Sequence, residues 1–378
     1  MRRVRAFVLA VVGSALLAPA ANAAGPTPPL YVLRQARAEL RGMSQGASAA
    51  YRKIGAATAR ALWVDPSDAV APPAGRAVFA GSRIALIDLE PLLGSSSPPA
   101  AVTAAEGLIL TGDRRLAEDA IQEAVGGAGG LVERARGMVL SGDRWAATTR
   151  VDLAAEQYGA AWVDAFDALT PLVVTAAANV APGALGNSAE NALAANRIAF
   201  ASVHAVHNQP PLSSAGKPEV VLVGPDGCAA CELESWGIVE ALSQFGTFAN
   251  VRLSQSETSR LPLVRGFTFK GASYGSPFVA FSIASPSSKV PRPFPFVDVA
   301  NKFADVGSPA SPHIAGRLFW RKVAGSLSQP KASSAQAIDG TAELLTAEIC
   351  DATGGVPAAV CGAAAVRAYE NRLPPASP

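Results

Sequence analysis

From Leu30 to about Val180, apolar residues recur at three- and four-residue steps, as in Leu30, Leu33, Ala36 and Leu40. That spacing lays one stripe along a helix face. Ala, Leu, Arg and Glu dominate the same stretch, and all are good helix formers. The pattern predicts an all-α N-terminal region. A signature repeats within it: Ala105-x-Gly107-x-x-Leu110-Thr111-Gly112-Asp113-Arg114 returns as Ala135-x-Gly137-x-x-Leu140-Ser141-Gly142-Asp143-Arg144, a 30-residue period. The expected unit is helix, tight turn, helix. Gly112 and Gly142 would end one helix in the left-handed conformation, and Asp113 and Asp143 would cap the next. The unit resembles tetratricopeptide-type hairpins, but those have a period of about 34 and need more copies. A helical bundle with one duplicated hairpin is the preferred reading.

Residues 181–218 hold two Gly/Pro/Asn/Ser-rich stretches around one expected helix, Ala189 to His204, and residues 208–218 read as an interdomain linker. The pattern then changes. Glu219 to Val223 is a short β-branched run, expected as a strand, ending in Gly224-Pro225-Asp226-Gly227. A helix is expected from Ala229 to Phe245, and a strand over Ala249 to Leu253. Phe267–Phe269 and Phe278–Ile283 read as one hairpin, and residues 296–299 and 302–306 as another, turning at Ala300-Asn301. Helices near 315–327 and 335–350 complete an α/β arrangement. The expected division is a helical region over 24–207, the linker, an α/β domain over 219–365 and a tail over 366–378.

The N-terminus changes the picture of where the chain works. Met1 to Arg5 is basic, Ala6 to Leu17 is apolar, and Ala21-Asn22-Ala23 offers a small-x-small cleavage site. This is the layout of a signal peptide over residues 1–23 and predicts an extracytoplasmic, secreted or envelope-associated protein. No later stretch is read as a membrane span. Leu172 to Ala178 is the nearest candidate, far short of about 20 apolar residues. A formal net charge of +2, with basic residues scattered, excludes an electrostatic nucleic-acid binder.

The chemistry lies in four cysteines, Cys228, Cys231, Cys350 and Cys361. In an exported chain an even number suggests disulfides; four allow three connectivities, and proximity favours 228–231 with 350–361. Cys228-Ala229-Ala230-Cys231 between a strand and a helix is the pattern of thioredoxin-like redox sites. The helix N-terminus favours a thiolate on Cys228, the expected nucleophile. Cys231 would be the resolving thiol. Asp226 opposes that thiolate, with no cation close in sequence. A cis-proline loop should face the pair just before a strand; Pro295 is preferred over Pro277 because its strand runs straight into a tight turn. Cys350 and Cys361 are read as a structural staple rather than a relay pair. Zinc, with His204 and His207 completing a ligand set, is the weaker alternative, and no metal or organic cofactor is expected, since the dithiol is itself the redox group.

The C-terminal half resembles a family of thioredoxin-like, mainly extracytoplasmic proteins, domain of unknown function 929. Five stretches carry the resemblance: GCAACELESWGIVEALSQFGTFANV (227–251), FTFKGASYGSPFVAF (267–281), PFPFVDVANKF (293–303), AIDGTAELLTAEIC (337–350) and VPAAVC (356–361). It covers about residues 215–365, under half of the chain. It implies an α/β thioredoxin-like fold, with Cys228 and Cys231 in the motif position and Cys350 and Cys361 as the family's C-terminal pair. It implies no known substrate. The chain departs in Gly227, where a bulkier lead-in is expected, and in Ala229-Ala230, where an aromatic-containing dipeptide is usual. The leading expectation is a thiol–disulfide oxidoreductase acting on protein thiols and disulfides with a separate redox partner. The alternative is a non-catalytic thioredoxin-like scaffold with structural disulfides, its helical region a protein-binding surface.

Overall fold

The computed structural model describes residues 27–43, 45–63, 70, 74–225, 227–256, 263–287, 290–316 and 318–375. The expected signal peptide, Asp226 and residues 376–378 of the tail lie outside the described residues. Helices follow the apolar stripe: α1 (Pro29–Glu39), α2 (Gln45–Ala57), α3 (Ala74–Leu93), α4 (Ala100–Glu123), α5 (Gly129–Ala146), α6 (Val151–Ala178) and α7 (Pro182–Ala194). α6 is the axis of the bundle, packed by α3, α4 and α5. Its Tyr158, Trp162, Phe166 and Leu169 are buried.

Two expectations are corrected here. The 28-residue α6 is long and apolar enough to cross a membrane by length and composition. Pro171 sits inside it without ending it, so the apolar run is longer than the sequence suggested. Half of its most apolar window is packed inside the protein. The repeated signature contains no turn. Gly112 and Gly142 lie buried in mid-helix, in α4 and α5. A Cβ on Gly112 would stand 2.8 Å from Leu33, and one on Gly142 would stand 2.4 Å from the Tyr158 ring. These glycines let helices approach closely rather than ending them. Asp113 is buried, and Asp143 accepts hydrogen bonds from Arg114 Nε at 2.8 Å and from the Tyr158 hydroxyl at 2.9 Å. Burial raises the Asp143 carboxyl, but those two bonds outweigh it and hold the group below the ordinary carboxylate range. The real hairpin is α4–α5, turning at Gly126 with φ +90° between the two copies.

The C-terminal region is α/β. Its strands are β1 (Val203–Ala205), β2 (Ser213–Ser214), β3 (Lys217–Val223), β4 (Thr247–Ala249), β5 (Arg252–Gln255), β6 (Arg265–Thr268), β7 (Ser273–Gly275), β8 (Ala280–Ala284), β9 (Phe296–Val299) and β10 (Phe303–Val306). Its helices are α8 (Ala229–Ser243), α9 (Trp320–Ser326), α10 (Ser333–Ala352), α11 (Ala358–Cys361) and α12 (Ala364–Glu370). In the main sheet β3 is central, with β8 parallel on one side and β9 antiparallel on the other; β10 and then β1 extend the β9 side. The β9–β10 hairpin turns at Ala300 and Asn301, φ +60° and +53°, the double left-handed turn that suits strand twist.

The expected hairpin between residues 267–269 and 278–283 does not form. β6 pairs with β5, β7 with β4, and β8 runs parallel to β3 with Glu219 opposite Ala280. Aromatic alternation marked these segments as strands but carried no information about partners. The boundary also shifts. The helix expected from Ala189 to His204 is α7, ending at Ala194, and β1 holds His204 at the sheet edge with Val203 opposite Asp305. Residues 208–218 include the β2–β3 hairpin, and Leu212 donates to the Ala300 carbonyl, so that stretch is part of the sheet rather than a free linker. One hydrophobic core runs through both regions. Phe166 of α6 packs on Phe319 and Trp320 with ring centroids 6.2 and 5.7 Å apart.

Candidate redox site

β3 leads directly to the cysteine pair. Gly227, at φ +75°, turns the chain, a conformation that costs glycine nothing. Cys228 is the N-cap of α8, and its sulfur accepts the Cys231 backbone N–H at 3.1 Å. Cys228 and Cys231 form a disulfide with Cα atoms 5.1 Å apart, both half-buried. The cap geometry matters chemically. The N–H that meets the Cys228 sulfur is one of the free donors at a helix start, where developing negative charge is stabilised. Gly224 has a packing role: a Cβ there would lie 2.9 Å from the Cys231 sulfur.

The loop before β9 closes over the pair. The Phe294 carbonyl oxygen lies 3.9 Å from the Cys228 sulfur. Phe294–Pro295 is a cis peptide, Pro295 is buried, and its carbonyl accepts the Gly307 N–H at 2.7 Å. Pro277, the competing position, has a trans bond. Arg292 stacks its guanidinium 5.2 Å from the centre of the Phe294 ring, bringing a cation into the loop that faces Cys228. Sequence reasoning missed this cation because it looked only near the motif.

Behind the pair lies a group of acids that sequence reasoning also missed. Glu234 of α8 is 2% exposed, accepts the Ser308 hydroxyl at 2.7 Å, and lies near Asp305 of β10 and Glu348 of α10. Burial pushes the Glu234 carboxyl up to about 8; Asp305 adds to the rise and the Ser308 bond opposes it. Asp305 and Glu348 lie against each other, their carboxyls interacting at close range. Two ionised carboxylates buried side by side repel, which favours a proton on one of them. Burial first, and the mutual repulsion second, push Glu348 well above its ordinary value. Glu240 and Asp339 form a second such pair further along α8, both raised by burial, with Glu343 beside them pushed up to about 7.

The second cysteine pair is built differently. Cys350 lies in the last turn of α10, Cys361 ends α11, and their disulfide has Cα atoms 5.4 Å apart. Cys350 is 1% and Cys361 8% exposed, a setting in which exchange with an external thiolate is blocked. With both pairs oxidised, no free cysteine remains, and the zinc alternative loses its thiolate ligands; His204 is exposed on β1.

No curated protein and no solved structure matches the chain. A family model does match: residues 203–290, from β1 through the cysteine pair and β8, carry the Domain of unknown function (DUF929).

Proposed function

We propose that this is an exported, thioredoxin-like thiol–disulfide oxidoreductase in which Cys228 and Cys231 exchange with cysteines of protein substrates. The observation that carries the reading is the position of the Cys228 sulfur. It is half-exposed, capped onto the first free N–H groups of α8, and faced by the Phe294–Pro295 loop. In the oxidising direction a substrate thiolate attacks the Cys228 sulfur, forming a mixed disulfide and releasing Cys231 as a thiolate that takes up a proton. A second substrate thiolate then attacks its own sulfur in the mixed disulfide. It leaves an oxidised substrate and a reduced Cys228, the two electrons now held by the dithiol. The reducing direction is the reverse. Turnover needs a redox partner that exchanges with the same pair. The N-cap geometry stabilises the Cys228 thiolate, which is the leaving group in the oxidising direction and the nucleophile in the reducing one. An extracytoplasmic location is supported by the two disulfides, which persist in oxidising compartments.

The test is the reduction potential of the Cys228–Cys231 pair, measured by equilibration in glutathione buffers. A Cys350→Ser/Cys361→Ser variant isolates the pair. A value of roughly −270 to −120 mV, the range of known exchangers, supports the oxidoreductase and sets its direction. A value below about −300 mV marks a structural disulfide and replaces this reading with the scaffold.

A further inference from the structure

The main sheet ends on one side at β1, three residues long, and on the other at β8, five residues long and paired only with β3 among the described residues. Edge strands are normally blunted by shortness, charge, proline or a bulge, since their free N–H and C=O groups otherwise pair with another chain. β1 meets that rule by its length. β8 does not: Ala280-Phe281-Ser282-Ile283-Ala284 contains no charge, no proline and no glycine. Ile283 is 48% exposed.

The sequence of β8 reads nearly the same in both directions about Ser282. In an antiparallel pairing of two copies centred there, Ser282 meets Ser282, Phe281 meets Ile283, and Ala280 meets Ala284. Phe281 and Ile283 share one face of the strand because side chains alternate. On that face Phe281 already packs with Phe248, Phe269 and Tyr274, at centroid distances of 5.5, 5.1 and 6.2 Å. The partner's Ile283 would therefore land opposite Phe281, beside this aromatic cluster, and lose its exposure. Aromatic and β-branched residues placed directly opposite are favourable cross-strand pairs. The arrangement is isologous, so it closes on itself as a two-fold dimer rather than growing into a fibre.

We infer that the occupant of the β8 edge is a second copy of this chain, paired β8 to β8 in antiparallel register about Ser282. Its main sheet then runs continuously through both copies. The pairing leaves the Cys228 loop outside the interface strand and is independent of the redox reading.

The test combines two variants of the purified protein. Ser282→Cys places two thiols across the two-fold axis, where directly opposed antiparallel residues have Cα atoms about 4.5–5.5 Å apart, within the span of a disulfide. Mild oxidation should give a dimer on a non-reducing gel and a 282–282 cross-linked peptide by mass spectrometry. Ile283→Lys puts a charge at an already exposed position and should weaken self-association in sedimentation velocity by at least about tenfold, with an unchanged circular dichroism melt. A monomer at all concentrations, with no 282–282 cross-link, would overturn the proposal and leave an extended segment of another protein as the occupant. A dimer unaffected by Ile283→Lys would overturn it as well.

Discussion

The buried Glu234 makes the stability of the C-terminal domain fall as pH rises, and Glu234→Gln should remove its share of that fall. Gln keeps the shape of the protonated acid and can still accept from Ser308. With the folded carboxyl raised to about 8 and an unfolded value near 4.5, the group binds its proton more tightly when folded. Its contribution is fully present below the unfolded pKa and is lost as pH climbs through 8. At 1.36 kcal/mol for each pH unit of separation, Glu234 alone should cost roughly 3–4 kcal/mol between pH 5 and pH 8. The assay is urea unfolding at pH 5, 6.5 and 8, read as midpoint with the slope held constant. The wild-type midpoint should fall across the series. Glu234→Gln should match wild type near pH 5 and exceed it at pH 8. A wild-type stability that is flat or rises over this range would refute the reasoning, and so would a variant that follows the wild-type slope. Either result would mean that Glu234 ionises in place, with its charge compensated by water or by a cation.

The repeated signature in α4 and α5 supplies a paired test. Gly142→Ala should destabilise by about 1–3 kcal/mol through overpacking against Tyr158, despite alanine's better helix propensity. Gly137→Ala, five residues earlier in the same helix and with nothing within 4 Å of the added carbon, should stabilise by up to about 1 kcal/mol; denaturant midpoints separate the two. Removing the Cys350–Cys361 bridge with a double alanine variant should cost about 3 kcal/mol from its short loop, read as a lower melting temperature.

Helix existence was legible over most of the N-terminal region because the apolar stripe there is long and regular. The Gly-Asp breaks were misread for a physical reason. Glycine in a helix marks either an end or a close helix–helix approach, and only the neighbouring helix decides which. Leu33 and Tyr158 are those neighbours, and neither is near in sequence. Strand positions were legible for β3, β9 and β10, whose turns carry their own signature in Ala300-Asn301. β6 and β8 were placed but mispaired: β6 takes antiparallel β5 and β8 takes parallel β3, and the aromatic pattern marks neither partner. At the candidate site, Cys228, Cys231 and Pro295 came from a strand–helix motif and a proline–strand motif. Arg292 and the acids come together only through the fold.

Those acids also reverse a usual inference. Glu232, Glu234 and Glu240 on α8, and Asp339, Glu343 and Glu348 on α10, would ordinarily mark solvated helix faces. Here α10 is buried along Ser334 to Cys350 and α8 along Glu232 to Leu242, because α8, α7, α12 and the sheet enclose α10 from several sides. Enclosure leaves no exposed face to carry charge, so burial raises the carboxyls of two facing pairs, Asp305 with Glu348 and Glu240 with Asp339. Each pair lies across an element boundary, β10 to α10 and α8 to α10. Protonation therefore spares β10, α8 and α10 from buried like charges, and these elements frame the start of α8, where Cys228 is capped. Raising the pH should loosen that frame before it alters the cysteines themselves. A rise in the reactivity of the Cys228–Cys231 disulfide toward thiols should then depart from the ordinary thiolate titration as pH passes about 8, and Glu234→Gln should bring it back.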